Sequence, residues 1–129
     1  MRVLAIDHGS VRCGCALSDP TGTISRPIEP ISPPDPAAVA RLVDEHDVGT
    51  VLVGLPISLD GSEGAQAEAA RAFAAAVEKL VEVPVETHDE RLTTRMAATS
   101  QRSGSQASRD SLAAAHLLDS YLLAREVRR

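Results

Sequence analysis

The run ValLeuAlaIleAsp at residues 3 to 7 constrains this chain more than any other stretch. Four apolar residues in succession, without polar alternation, describe a strand covered on both faces, and such strands sit in the middle of sheets flanked by helices. The run ends on a carboxylate, with His8 and Gly9 directly behind it. A charge at the rim of a core is costly unless it is paired or bound to a cation. The first strand therefore predicts a layered fold with a site at its end.

Two other segments deliver acids in a similar way. Residues 84 to 88 are expected as a strand that runs into Asp89 and Glu90. One of these two should face the side of the sheet that Asp7 faces, and spacing alone does not choose between them. Asp110 is expected in the first turn of a final helix, where the helix dipole favours an ionised carboxylate. Carboxylates brought to one place from distant parts of a chain hold hard cations such as Mg²⁺ against a phosphate, which points to a metal-dependent nuclease. Asp119 lies nine residues after Asp110, on the opposite face of that helix at 100° per residue, and is a poor substitute. AspHisGly alone is weak, because the same triplet occurs in phosphate-binding loops and ordinary turns.

The rest of the chain reads as three antiparallel strands followed by alternating helices and strands. Residues 2 to 8, 12 to 18 and 23 to 31 are the expected meander, with Pro27 and Pro30 suiting the third strand to an edge. Asp35 followed by Pro36 predicts a helix start, with Val39, Leu42 and Val43 on its inner face. Residues 50 to 54 form a strand, and a glycine-rich loop leads to a helix over 62 to 81 whose apolar stripe is Ala69, Ala72, Phe73, Ala76, Val77 and Leu80. A short helix over 93 to 99 and a mobile loop over 100 to 108 come next, the loop carrying Ser, Gly, Gln and Arg that cannot pack. Ser108 caps the last helix, whose LeuAlaAlaAlaHisLeuLeu run is expected to be buried. The fold class is α/β, a mixed five-stranded sheet flanked by helices, in a single domain spanning 1–129.

Composition narrows the functions. Aromatic residues are 2% of the chain, Phe73 and Tyr121, so there is no platform for stacking bases of the kind single-strand binders use. The net charge of −5 opposes phosphate binding, but it is uneven. Residues 1 to 90 carry 6 basic and 15 acidic side chains, a net of −9, and residues 91 to 129 carry 7 arginines and 3 acids, a net of +4. No apolar run approaches the ~20 residues needed to cross a bilayer, and Met1 leads straight into a strand, so a cytoplasmic protein without membrane contact is expected. Cys13 and Cys15 project to one face of a strand and have no second cysteine pair, which favours small buried thiols over a zinc site.

In chain order, the segments 3 to 19, ThrGlyThrIleSerArgPro at 21 to 27, ValGlyLeuPro with AspGlySerGluGly at 53 to 64, AspGluArgLeuThrThr at 89 to 94 and the helix from Asp110 resemble the motifs of the YqgF/RuvX family. The resemblance covers nearly the whole chain. It implies an RNase H-like fold and a metal-dependent phosphodiesterase that processes the 5′ end of pre-16S rRNA, or alternatively a Holliday junction resolvase-like DNA nuclease. Carried over position by position, it makes Asp7, Glu90 and Asp110 the catalytic and metal-holding acids, with Asp89 orienting Glu90 or Arg91. Two Mg²⁺ or Mn²⁺ ions would assist in-line attack on a phosphodiester.

Candidate phosphate contacts are Arg12, Arg91, Arg95 and Arg109, with the amides around Gly61 and Gly64 at a helix start. His8 and His88 flank the acids, as incidental neighbours or, alternatively, as proton shuttles. Nucleic acid is the expected partner, precursor rRNA ahead of a DNA junction, for a monomer or weak dimer. The sequence departs from the family at Cys13 and Cys15, where aliphatic residues are usual, and in having only Arg102 and Arg109 in the 100 to 109 stretch. Two other readings compete: a non-catalytic nucleic-acid-binding factor, against which the intact acids count, and an ATP-binding protein of the actin or sugar-kinase type, which needs a second lobe.

Overall fold

The computed structural model describes residues 1–58, 60–90 and 106–127, with side chains over 1–58, 60–90 and 111–125. Strands β1 (Arg2–His8), β2 (Cys13–Ser18), β3 (Ser25–Ile31), β4 (Val48–Leu55) and β5 (Val85–Asp89) form one sheet. The helices are α1 (Pro36–Glu45), α2 (Ala65–Glu78) and α3 (Gln106–Val127). The sheet order is β3-β2-β1-β4-β5. β1, β2 and β3 pair antiparallel, while β4 and β5 run parallel to β1. The mixed sheet and the edge placement of the proline-bearing β3 are as the sequence predicts.

β1 is buried on both faces as its composition requires, with Val3, Leu4, Ala5 and Ile6 each at most 1% exposed. Alternate residues serve two separate cores. Leu4 and Ile6 join Cys13, Cys15, Val51, Val53, Val39, Phe73 and Val77 under α1 and α2. Val3 and Ala5 join Ala16, Leu52, Ala114, Leu117, Leu118 and Leu122 under α3. By that alternation Asp7 belongs to the α3 face and His8 to the α2 face, where its ring meets Phe73 at 4.9 Å. Both cysteines are free and buried, and desolvation pushes their thiols up to about 11 for Cys13 and about 12 for Cys15, so both stay protonated and inert. Among the described residues no helix is long and apolar enough to cross a membrane.

Local chemistry moves several boundaries. β3 begins at Ser25 rather than Thr23 because Asp19 Oδ1 accepts the amides of Thr23 and Ile24 at 2.8 and 2.9 Å, holding both in a turn. β4 begins at Val48 because Asp47, at φ 53, reverses the chain immediately after α1. The Asp35 cap is as expected, its side chain accepting from Ala37 N–H at 3.0 Å. α2 is shorter than 62 to 81: Glu63 is drawn into a bridge with Ile57, and Leu80 and Val81 close the helix onto Val77 O.

The buried stripe of α2 is also turned from the expected one. It comprises Ala67, Ala70, Phe73, Ala74 and Val77, whereas Ala69 and Ala72 are exposed and Leu80 is 54% exposed. Alanine at eight positions between 65 and 76 leaves the helical phase to Phe73 and Val77, which fit either stripe. The last helix starts two residues before Ser108, so Ser108 lies inside it and is not its cap. The expected helix over 93 to 99 and the 100 to 105 part of the expected mobile loop fall outside the described residues.

The turned stripe makes a direct prediction. Ala70→Leu should overpack the α2 core and cost about 1–3 kcal/mol in urea unfolding, whereas Ala69→Leu and Ala72→Leu should stay within about 0.5 kcal/mol of the parent. The reverse ranking would restore the original phase.

Candidate active site

Three parallel strands, β1, β4 and β5, end side by side, and in open α/β sheets the crevice outside such carboxyl ends is where ligands bind. Register sets the level. Ile6 is opposite Val53, and Gly54 is opposite His88. Asp7 therefore stands beside Gly54 at the end of β4, with Glu90 just beyond the end of β5.

The parity of the strands separates Asp89 from Glu90. Glu86 and His88 face α3, where Tyr121 donates to Glu86 Oε2 at 3.0 Å and Ser120 Oγ lies 3.1 Å from His88 Nε2. Glu90 continues that even-numbered series and Asp89 does not. Glu90, not Asp89, shares a side-chain hydrogen bond with Asp7, and its carboxyl is pushed up to about 9 by desolvation, by that bond, and by the charges of Asp7 and Asp89. Burial and the shared site thus bias the pair toward keeping a proton in the metal-free protein, the usual outcome when two carboxyl groups meet. The side-chain role of the histidines is packing: His88 binds Ser120 and meets Tyr121 edge-on, and His8 leans on Phe73.

Asp110 is the fifth residue of α3, past the first turn, which contains no acidic residue. The expectation of dipole stabilisation in the first turn is thereby corrected, because the helix begins earlier than the loop-like composition suggests. Its side chain lies outside the described residues, but the backbone beside it is fixed. Ser111, 1% exposed, donates from Oγ to Ile28 O at 2.6 Å and accepts Cys15 N–H at 3.4 Å. These partners lie where the β2–β3 register shifts between Cys13 and Cys15. Asp7 pairs with Gly14 between them, so Asp110 enters at the same end of the sheet as Asp7. Asp119 is turned to β3, where its Oδ1 accepts from Ser25 Oγ.

Among the four candidate arginines, Arg12 stands in the tight β1–β2 turn closed by Gly9 N–H on Arg12 O at 3.0 Å, at the site end of the sheet. Arg91, Arg95 and the side chain of Arg109 lie outside the described residues, as does Arg102. The amide of Gly61 is not available to a phosphate, since it donates to Ser58 O at 2.8 Å. Gly64 is the N-cap of α2, two residues beyond the helix start expected from the sequence. Among the described residues no three His, Cys, Asp or Glu side chains form a group able to hold a metal ion; the described acids are the Asp7–Glu90 pair with Asp89 beside it. Sequence reasoning missed Gly54 and Ser111, whose parts emerge only from strand register and from contacts distant in the chain.

A family model described as RuvX, Holliday junction resolvase, matches residues 1–124. The chain is 48% identical over 104 residues to a candidate pre-16S rRNA nuclease of Thermobifida fusca, covering 78% of this chain and 65% of that protein. A protein of the same description from Rubrobacter xylanophilus is 42% identical over 127 residues, covering 94% of this chain and 91% of its own. In fold the chain is similar to Thermus thermophilus RuvC in complex with a Holliday junction substrate, at TM-score 0.64 and 17% identity, covering 98% of this chain and 96% of that one. It is also similar to the yeast mitochondrial Holliday junction resolvase Ydc2, at TM-score 0.52 and 11% identity, covering 93% and 77%. The fold is RNase H-like, as expected.

The raised carboxyl of Glu90 makes stability depend on pH. Its folded value, about 9, lies above the ordinary 4.5, so between those limits the folded state binds the extra proton and stability falls as pH rises. In divalent-free buffer, the melting advantage of Glu90→Gln over the parent should be smallest near pH 4.5 and widen steadily as the pH is raised toward 8. A difference that does not change with pH would show that Glu90 ionises normally.

Proposed function

This chain belongs to the RuvX family, and on that premise we propose that it is a metal-dependent nuclease that processes the 5′ end of pre-16S rRNA. The observation that carries the reading is the Asp7–Glu90 carboxyl pair at the ends of parallel strands, with Asp110 on the helix that reaches the same end. Burial, the hydrogen bond to Asp7 and the charges of Asp7 and Asp89 all strengthen the hold of Glu90 on a proton. Replacing that proton with a divalent cation removes the repulsion, and an all-oxygen donor set suits Mg²⁺ or Mn²⁺. The residues present therefore fit the cation, with Asp7, Glu90 and Asp110 as its holders and Asp89 restraining Glu90. When bound, the cation supplies the charge that draws in a phosphodiester and activates the attacking water.

The protein's own groups do the positioning. Asp7 and Glu90 fix where the scissile phosphate lies, because strand ends move less than loops. Arg12, on a two-ended turn beside Asp7, is placed to contact a neighbouring phosphate, and Arg91, Arg95 and Arg109 extend that contact along the strand. No side chain is needed as a covalent nucleophile. The relatives named for pre-16S rRNA favour RNA as substrate, with discrimination through 2′-hydroxyl contacts, and one compact copy can serve one strand. The family description favours a second reading, resolution of four-way DNA junctions, which needs paired and symmetric cuts.

Asp7→Asn, Glu90→Gln and Asp110→Asn should each lower cleavage by at least about 100-fold, with the fold retained by circular dichroism. Asp119→Asn should cleave within about twofold of the parent, its amide oxygen still able to accept from Ser25 Oγ. RNA carrying the precursor 5′ end should be cut in preference to a four-way junction at matched salt, in Mg²⁺ and Mn²⁺ in turn. Binding should weaken by about tenfold to a thousandfold between low and physiological salt if three or more phosphates are touched. Paired junction nicks that outpace RNA cleavage would transfer the assignment to the resolvase, and full activity in any one acid variant would remove that residue from the site.

A further inference from the structure

β4 lies between β1 and β5, so a side chain arriving from the end of β5 reaches Asp7 only by passing over the end of β4. The residue at that level is Gly54. Glycine is unfavourable inside a strand, where it adds backbone entropy and packs nothing, and its presence often marks a close approach by another group. Backbone conformation does not require it here, since the described glycines with positive φ are Gly22 and Gly61. Space does. A methyl built on Gly54 would stand 2.7 Å from Glu90 Oε1 and 3.0 Å from its Cδ, and 2.9 Å from Leu117 Cδ2. Carbon contacts settle at about 3.5–4.0 Å, so the carboxyl of Glu90 and the tip of Leu117 occupy the volume a side chain would take.

We propose that Gly54 is a positioning residue: its bare Cα is the seat over which Glu90 crosses β4 to meet Asp7. Both groups that fill the gap end flexible side chains, so any larger residue displaces them at little cost to folding and a large cost to geometry. Glu90 has one route to Asp7, and a methyl in that route turns its carboxyl away. Leu117 enters the same gap from α3, which lets the helix lie close over the end of β4. The seat stands on contacts alone; that the seated pair holds a cation rests on the function proposed above.

The test separates the two statements. A crystal structure of metal-free Gly54→Ala should show the Glu90 carboxyl displaced and its hydrogen bond to Asp7 lost, and an unchanged bond would overturn the seat whether or not the protein binds metal. Calorimetric titration with Mn²⁺ should then give a dissociation constant raised about 10- to 100-fold, the usual penalty for disturbing the support of a ligand. Glu90→Asp shortens the side chain by one methylene and withdraws it from the added methyl. G54A/E90D should accordingly bind Mn²⁺ within about twofold of E90D alone. An equal loss in both backgrounds would show that the methyl acts through Leu117 and not through Glu90, which overturns the proposal. Should G54A fail to fold, G54A/L117V removes the Cδ2 clash and carries the same comparison. A parent protein that binds no Mn²⁺ contradicts the metal reading and leaves the structural arm to judge the seat.

Discussion

Val3 to Ile6 can be withdrawn from water only if the sheet is covered from both sides, and that requirement organises the molecule. Helices α1 and α2 close over Leu4 and Ile6, and α3 closes over Val3 and Ala5. Because residues alternate, the face under α3 inherits Asp7, and the strand order places Gly54 and Glu90 on that same face. The candidate site is thus a by-product of satisfying a hydrophobic strand: the two cores fix the register, and the register lines up Asp7 and Glu90. Each buried aliphatic side chain stabilises by about 1.5–3 kcal/mol, enough collectively to tolerate a strained rim.

That rim is unfavourable by itself. Burial, the hydrogen bond to Asp7 and the charges of Asp7 and Asp89 together raise the Glu90 carboxyl well above the ordinary carboxylate range. A protein selected only for stability would replace one of these acids, since substitutions that relieve such repulsion commonly stabilise. The pair is what a site waiting for positive charge looks like. His8 packs against Phe73 and His88 meets Ser120, so both rings beside the acids are held in place by neighbours of their own.

Much of the fold was legible because some residues admit a single interpretation. Four apolar residues in a row specify a central strand; Asp35 before Pro36 specifies a helix start; Pro27 and Pro30 specify an edge. Where the chain is written in alanine, as in α2, the side chains differ too little to fix the helical phase, and the stripe was misplaced. Polar composition before Asp110 resembled a loop although the helix already begins at Gln106. At the site, the acids were visible as residues, while the choice between Asp89 and Glu90 needed the register of β5. Gly54 and Ser111 were invisible for the same reason: the first matters through a neighbour 36 residues away, Glu90, and the second through partners 83 and 96 residues away.

The Ser111 clamp has a consequence for what holds each end of the site. Hydrogen bonds to Ile28 and Cys15 tether the start of α3 to the opposite side of the sheet from β5, so the helix does not depend on the preceding residues for its location. Glu90 is likewise held from the strand side. The two anchorage points are thus set by contacts made on opposite sides of the segment that joins them. Arg91, Arg95, Arg102 and Arg109 fall on or beside that segment in the sequence, so a change of charge there leaves both described anchorage points as they are.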